Sequence, residues 1–103
     1  MSGLLLILCE GEGGRVRAGL ELAATVAAMG RPVRVLLKGA ALRSAPRLHE
    51  QFAVLHELGA EILACQTDMA DGGVAAADLP PGVEAAGMLH AMRGTDGWQL
   101  LLA

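Results

Sequence analysis

The sequence predicts one α/β domain spanning residues 1–103, a three-layer α/β/α arrangement around a mostly parallel five-stranded sheet. Short apolar runs alternate with stretches of helical periodicity, the pattern of strands joined by crossover helices in a parallel sheet. Glycine or proline punctuates nearly every boundary between them. The AVILMFWYC residues make up 53% of the chain and charged residues 18%. That is enough apolar side chain to build a core, and it excludes an intrinsically disordered chain. No linker, internal repeat or low-complexity stretch marks a second domain.

The elements follow in order. Leu4 to Leu8 is unbroken by any polar residue, as in a strand buried on both faces. Gly11, Gly13 and Gly14 interrupt the chain, and Val16, Leu20, Ala23 and Ala27 then line one face of a helix that Gly30 and Pro32 stop. Val33 to Leu37 is a second strand in which Arg34 is the sole polar interruption. Ser44 is positioned to cap a second helix with Pro46 in its first turn, and Leu48, Phe52, Leu55 and Leu58 form its apolar stripe as far as Gly59. Glu61 to Ala64 is a third strand leading into Cys65. The stretch Thr67 to Pro81, rich in Gly, Asp and Ala, holds at most a short helix. Val83 to Ala86, Met88 to Arg93 and Trp98 to Leu102 then predict a strand, a short helix and a closing strand.

Composition narrows the function. Eight Lys and Arg against eleven Asp and Glu leave a net charge of −3. Nucleic-acid binding calls for a basic stripe or a stacking platform, and Phe52 and Trp98 are the only aromatic residues. No nucleic-acid partner is therefore expected. Met1-Ser2-Gly3 carries no basic side chain, and Leu4 to Cys9 is far shorter than the ~20 apolar residues of a membrane span. Neither secretion nor membrane insertion is expected, and the default is a cytoplasmic, reducing compartment. His49, His56 and His90 lack the spacing of a zinc site, so no metal or organic cofactor is expected. Ser2 and Ser44 lie outside any nucleophile elbow.

Gly11-Glu12-Gly13-Gly14 sits where a dinucleotide fingerprint would, yet Val16 occupies the third-glycine position. Lys38 stands where the ribose-binding acid after the second strand belongs. The run is simplest as a tight turn; the helix start after it leaves an anion pocket open, which Glu12 would oppose. Arg43 and Arg47 read as a solvated face, or as one that meets an acidic partner.

In parallel sheets, ligands bind beyond the carboxyl ends of the strands. Both cysteines lie there, Cys9 after the first strand and Cys65 after the third. Cys9 continues an apolar run and is expected to be the more buried and less reactive thiol. Cys65 precedes Gln66-Thr67-Asp68-Met69, a strand end opening into a polar loop where a thiol can be reached and activated. Two strand steps would separate their Cα atoms by roughly 10 Å, beyond the ~7 Å limit of a disulfide.

The run Leu63-Ala64-Cys65-Gln66-Thr67-Asp68-Met69, followed by Gly73-Val74, Asp78-Leu79, Gly82-Val83-Glu84 and Gly87, resembles the DsrE/DsrF-like sulfur-relay family. The likeness is most specific from Leu63 to Gly87 and loosely collinear elsewhere, including Lys38-Gly39. It implies a five-stranded parallel sheet between helices, a homotrimer or hexamer, and exchange with sulfur donor and acceptor proteins. It also implies that Cys65 binds sulfane sulfur as a persulfide. Asp68 stands where the resembling proteins usually have Ser, and a carboxylate three residues from a thiolate opposes it by like-charge repulsion. Cys65 and Asp68 are thus the candidate catalytic residues. The implied protein is a persulfide carrier with sulfurtransferase character; a small-ligand or nucleotide-binding module and a non-catalytic assembly subunit are the alternatives. The mean hydropathy of +0.46 agrees with an oligomer, and the helix from Gly19 to Met29 holds Glu21 as its sole charge.

Overall fold

The structure, a computed structural model, describes residues 2–103. The elements are β1 (Leu4–Leu8), α1 (Gly14–Ala28), β2 (Val33–Leu37), α2 (Gly39–Arg43), a 3-10 turn (Ala45–Leu48) and α3 (His49–Glu57). They continue with β3 (Glu61–Cys65), α4 (Gln66–Gly72), a second 3-10 turn (Ala76–Asp78), β4 (Val83–Ala86), α5 (Met88–Met92) and β5 (Gln99–Leu102). The five strands pair in the order β4-β3-β2-β1-β5, all parallel.

That order dictates the layering. Three successive connections step the same way from β1 to β4, so right-handed crossovers deliver their helices to one face. The last connection runs back across the sheet to β5, which sends α5 to the other face. The first face holds the larger core: Leu4, Leu6, Leu8, Val33, Val35, Leu37 and Ile62 meet Val16, Leu20 and Val26 of α1 and Phe52 and Leu55 of α3. On the second face Leu5, Ile7, Leu36, Leu63, Cys65 and Ala86 pack with Ala91 of α5, and Trp98 and Cys9 lie against them. One five-residue helix is the whole second helical layer.

Arg34 shows why a charge is tolerated inside β2. Its Nε reaches Glu61 Oε1 at 2.9 Å, and its guanidinium donates at 2.8 Å each to the carbonyls of Ala91 and Arg93. These are terminal carbonyls of α5, which lack helical donors, and the guanidinium also lies 5.3 Å from the Trp98 ring centroid. Arg34 thereby fastens the thin layer to the sheet.

Two expectations need correcting. The helix expected to run from Ser44 starts as a 3-10 turn, Ala45–Leu48, before α3, and an additional helix, α2, precedes Ser44. Ser44 is buried with φ −90° and ψ −1°, a helical backbone rather than the extended one of a capping residue, and makes no side-chain cap. The reason is a close approach: a Cβ on Gly11 would collide with Ser44 Oγ and lie 2.9 Å from the Ala40 carbonyl. The glycine turn thus packs directly onto α2, and Gly13, at φ +105°, bends the chain into α1. The loop expected directly after Cys65 is instead the start of α4, the short helix that the Thr67–Pro81 stretch allowed, ended by Gly73 in the left-handed conformation.

Phe52, fully buried between α3 and the sheet, should lose about 3–5 kcal/mol on truncation to Ala, read as a shift of the urea midpoint. Gly11→Ala should also destabilise, although Gly11 lies outside every helix and strand; an unchanged midpoint would refute the close packing onto Ser44.

Candidate functional site

The sheet register assembles the site. Leu8 pairs with Leu37 and Leu37 with Ala64, so the residues one step further, Cys9, Lys38 and Cys65, form a row across the carboxyl ends of three adjacent strands. The Lys38 N–H donates to the Leu8 carbonyl at 2.9 Å and carries the ladder into that row. Cys65 in turn pairs with Ala86 of β4. Alternation puts all these side chains on the second face.

Lys38 is the centre of this row. Its Nζ donates to Cys65 Sγ at 3.2 Å and lies 3.4 Å from Asp68 Oδ2. Asp68, in the first turn of α4, also accepts the Gly39 N–H at 2.9 Å. The hydrogen bond to the Cys65 sulfur is the main reason the Lys38 ammonium is held above its ordinary value of 10.5; the charges of Cys65 and Asp68 add to this, and partial burial opposes it. A cation whose folded value is raised keeps its proton below 10.5 and yields it only as pH climbs higher. Lys38 is therefore charged throughout the neutral range.

The structure brings Cys65 and Asp68 together through Lys38, which the sequence marks only as standing in place of a ribose-binding acid and within the Lys38-Gly39 likeness. Like-charge repulsion from Asp68 is offset by an ammonium in contact with both groups. The signal for Lys38 lay in its place: a lone charge directly after an apolar strand, level with the end of the next. The expected order of burial is reversed. Cys65 is 3% exposed, packed with Leu63, Ala86 and Ala91, whereas Cys9 is half-buried at the margin of the same cluster. Both are free thiols, on strands that β2 separates, as the excluded disulfide requires.

Beside the site, Gly39, Arg43, Asp68 and Asp71 line a small polar cavity of about 240 Å³ between α2 and α4. Arg47 turns back to Ser44 Oγ at 3.4 Å. The histidines stay apart: His90 lies 3.5 Å from Glu61, and His49 Nδ1 is 2.9 Å from the Pro46 carbonyl. No group of three or more His, Cys, Asp or Glu able to hold a metal occurs among the described residues. Nor is any described helix long and apolar enough to cross a membrane.

The ychN protein from E. coli superposes with a TM-score of 0.84 at 16% identity, over 100% of both chains. MTH1491 from Methanobacterium thermoautotrophicum, a protein of unknown function, superposes with a TM-score of 0.80 at 20% identity, again over 100% of both. The chain shares their fold, a five-stranded parallel sheet with helices. At such low identity the likeness extends to the fold alone. No family model matches the sequence, and no curated protein matches it either.

The contacts of Lys38 set opposite expectations for two variants. In a Cys9→Ser background, Lys38→Met should slow alkylation of Cys65 by iodoacetamide near neutral pH, by removing the cation that pairs with sulfur. Asp68→Ser should speed it, because the ammonium then serves Cys65 alone. Equal rates in all three proteins would show that the ion pair does not act on the sulfur.

Proposed function

We propose that this protein carries sulfane sulfur as a persulfide on Cys65, in a sulfur relay between donor and acceptor proteins. The observation that carries this reading is the Lys38 ammonium 3.2 Å from Cys65 Sγ, at the carboxyl end of an interior strand. Such a contact favours negative charge on sulfur, which both the attacking thiolate and the loaded persulfide bear.

The chemistry parallels thiol–disulfide exchange. The Cys65 thiolate attacks the outer sulfur of a donor such as thiosulfate. The donor S–S bond breaks, sulfite departs with its electron pair, and Cys65 is left as Cys–S–S⁻. An acceptor thiolate then attacks the outer sulfur and releases the Cys65 thiolate. No net oxidation occurs, and no metal or organic cofactor is required. Lys38 pairs with the anion at each stage, while Asp68, anchored on the Gly39 N–H, shares the same ammonium.

Burial of Cys65 suits a sulfur that must be shielded from water and favours small anionic donors. The polar cavity beside Asp68 supports a second reading, a small-ligand module, in which Cys65 would stay unloaded.

Self-association, as a homotrimer or hexamer, belongs to the same proposal. Leu100 and Leu102 are 61% and 64% exposed and pair with Leu5 and Ile7, which sets them on the second face. Leu89 of α5 is 74% exposed. The outer side of α1, where the sequence suggested the interface, leaves Leu22 and Met29 as its exposed large apolar residues. The thinly covered second face therefore presents more apolar surface than α1 does.

Incubation with thiosulfate or polysulfide should add about one sulfur per chain to the intact mass, and Cys65→Ser should abolish the addition. Because a buried hydroxyl costs roughly 1–3 kcal/mol, Cys65→Ala and circular dichroism serve as folding controls. Loading of a folded Cys65→Ser variant at the wild-type rate would overturn the proposal. Light scattering should find an oligomer at micromolar concentration, and Leu100→Glu with Leu102→Glu should dissociate it; a stable wild-type monomer would refute self-association.

A further inference from the structure

We infer that Cys9 is a second sulfur-carrying residue, which takes the sulfane sulfur from Cys65 and offers it at the protein surface. The inference rests on the persulfide reading of Cys65 and extends the same site by one strand. Three observations converge on it.

The first is placement. Cys9, Lys38 and Cys65 are successive members of one cross-strand row, and both cysteines pack on the same second-face cluster. The second is topology. The chain leaves β1 toward β2 and returns on its other side as β5, so strand order reverses at β1. Parallel sheets bind ligands at the carboxyl ends of strands at such a switch point, and Cys9 directly follows β1 there, its N–H donating to the Ala103 carbonyl after β5. The third is access. Cys65 is 3% exposed and Cys9 half-buried, so a small anion can serve the inner thiol while a bulky acceptor needs the outer one.

The reach is just met when both side chains are fully extended toward each other. A disulfide spans up to about 7 Å between Cα atoms; one further sulfur adds ~2 Å, and a forming bond at ~3.3 Å adds about 1 Å more. The total is about 10 Å, the separation of two strand steps. Direct disulfide formation is out of range, whereas transfer of the outer sulfur is within it.

The step balances. The Cys9 thiol's proton passes through water to the anionic Cys65–S–S⁻, and the Cys9 thiolate attacks the outer sulfur of the resulting Cys65–S–SH. The Cys65 S–S bond breaks as the Cys9 S–S bond forms, giving Cys9–S–SH and the Cys65 thiolate. No electron is gained or lost overall. Lys38 compensates the charge that departing Cys65 acquires, and a better-stabilised leaving thiolate speeds such exchange. Cys9 has no comparable cationic partner among the described residues, so loading begins at Cys65.

The test follows sulfur through the intact protein. Wild-type protein is loaded anaerobically with limiting inorganic polysulfide, quenched at intervals with an iodoacetamide, and its persulfides are located by peptide mass. Label should reach Cys65 first and Cys9 afterwards, and in Cys65→Ser it should fail to reach Cys9. Cys9→Ser should load Cys65 at the wild-type rate, discharge normally to dithiothreitol, and discharge to thiol-bearing agarose beads at least about tenfold more slowly. Cys9→Ala repeats the comparison should the serine variant misfold. If wild-type Cys9 never carries sulfur while Cys65 does, or if the Cys9 variants discharge to the beads at the wild-type rate, this inference is wrong and the carrier reading stands. Absence of any added sulfur on the wild type would overturn both.

Discussion

Backbone pairing among β1, β2 and β3 sets which residues meet at the end of the sheet. In the observed register, Leu37 stands level with Leu8 on one side and Ala64 on the other. A slip of one residue between β2 and β3 would turn Lys38 or Cys65 to the opposite face and dissolve their contact. The first-face core makes such a slip costly, since Val35, Leu37, Ile62 and Ala64 would exchange places with Arg34, Lys38, Glu61 and Cys65. The hydrophobic packing of one face thereby enforces the chemistry on the other.

The two faces are unequal for a topological reason. Right-handed crossovers that all step one way load their helices onto a single side, and one return connection covers the other. A five-residue helix cannot shield five strands by itself, so edge residues such as Leu100 and Leu102 stay open to solvent. Arg34 anchors that helix by its terminal carbonyls at one end of the sheet, while Lys38 binds sulfur at the other. Two cations four residues apart on one strand share its second face but not its purpose. One holds the thin layer in position; the other meets the thiol beneath it.

Charge placement at the site follows from partial burial. Lys38 and Asp68 retain roughly a quarter of their side-chain exposure, and their contact is therefore modest as a source of stability. Its consequence lies in how one charge is shared: Asp68, tied to the Gly39 N–H, draws on the same ammonium that donates to the Cys65 sulfur. The result is a row of thiol, ammonium and thiol, one thiol partly open and one enclosed.

The sequence by itself determined the α/β class and the number and order of the strands, because buried parallel strands are written as continuous apolar runs between glycines. All five strands lie within one residue of where those runs place them, and Leu4–Leu8, Val33–Leu37 and Val83–Ala86 match at both ends. It also set Cys65 and Cys9 at strand ends, a matter of local spacing. Tertiary structure alone decided what lies beside them. Lys38 is 27 residues from Cys65, and only strand pairing across the sheet makes them neighbours. Relative burial of the two cysteines was equally non-local, since it depends on where α5 comes to rest after crossing the sheet. The break at Ser44 depended on Gly11, a residue 33 positions earlier that lets the first turn press against α2. Periodicity reports which way a side chain points from its own element; it carries no record of which distant residue will be there to meet it.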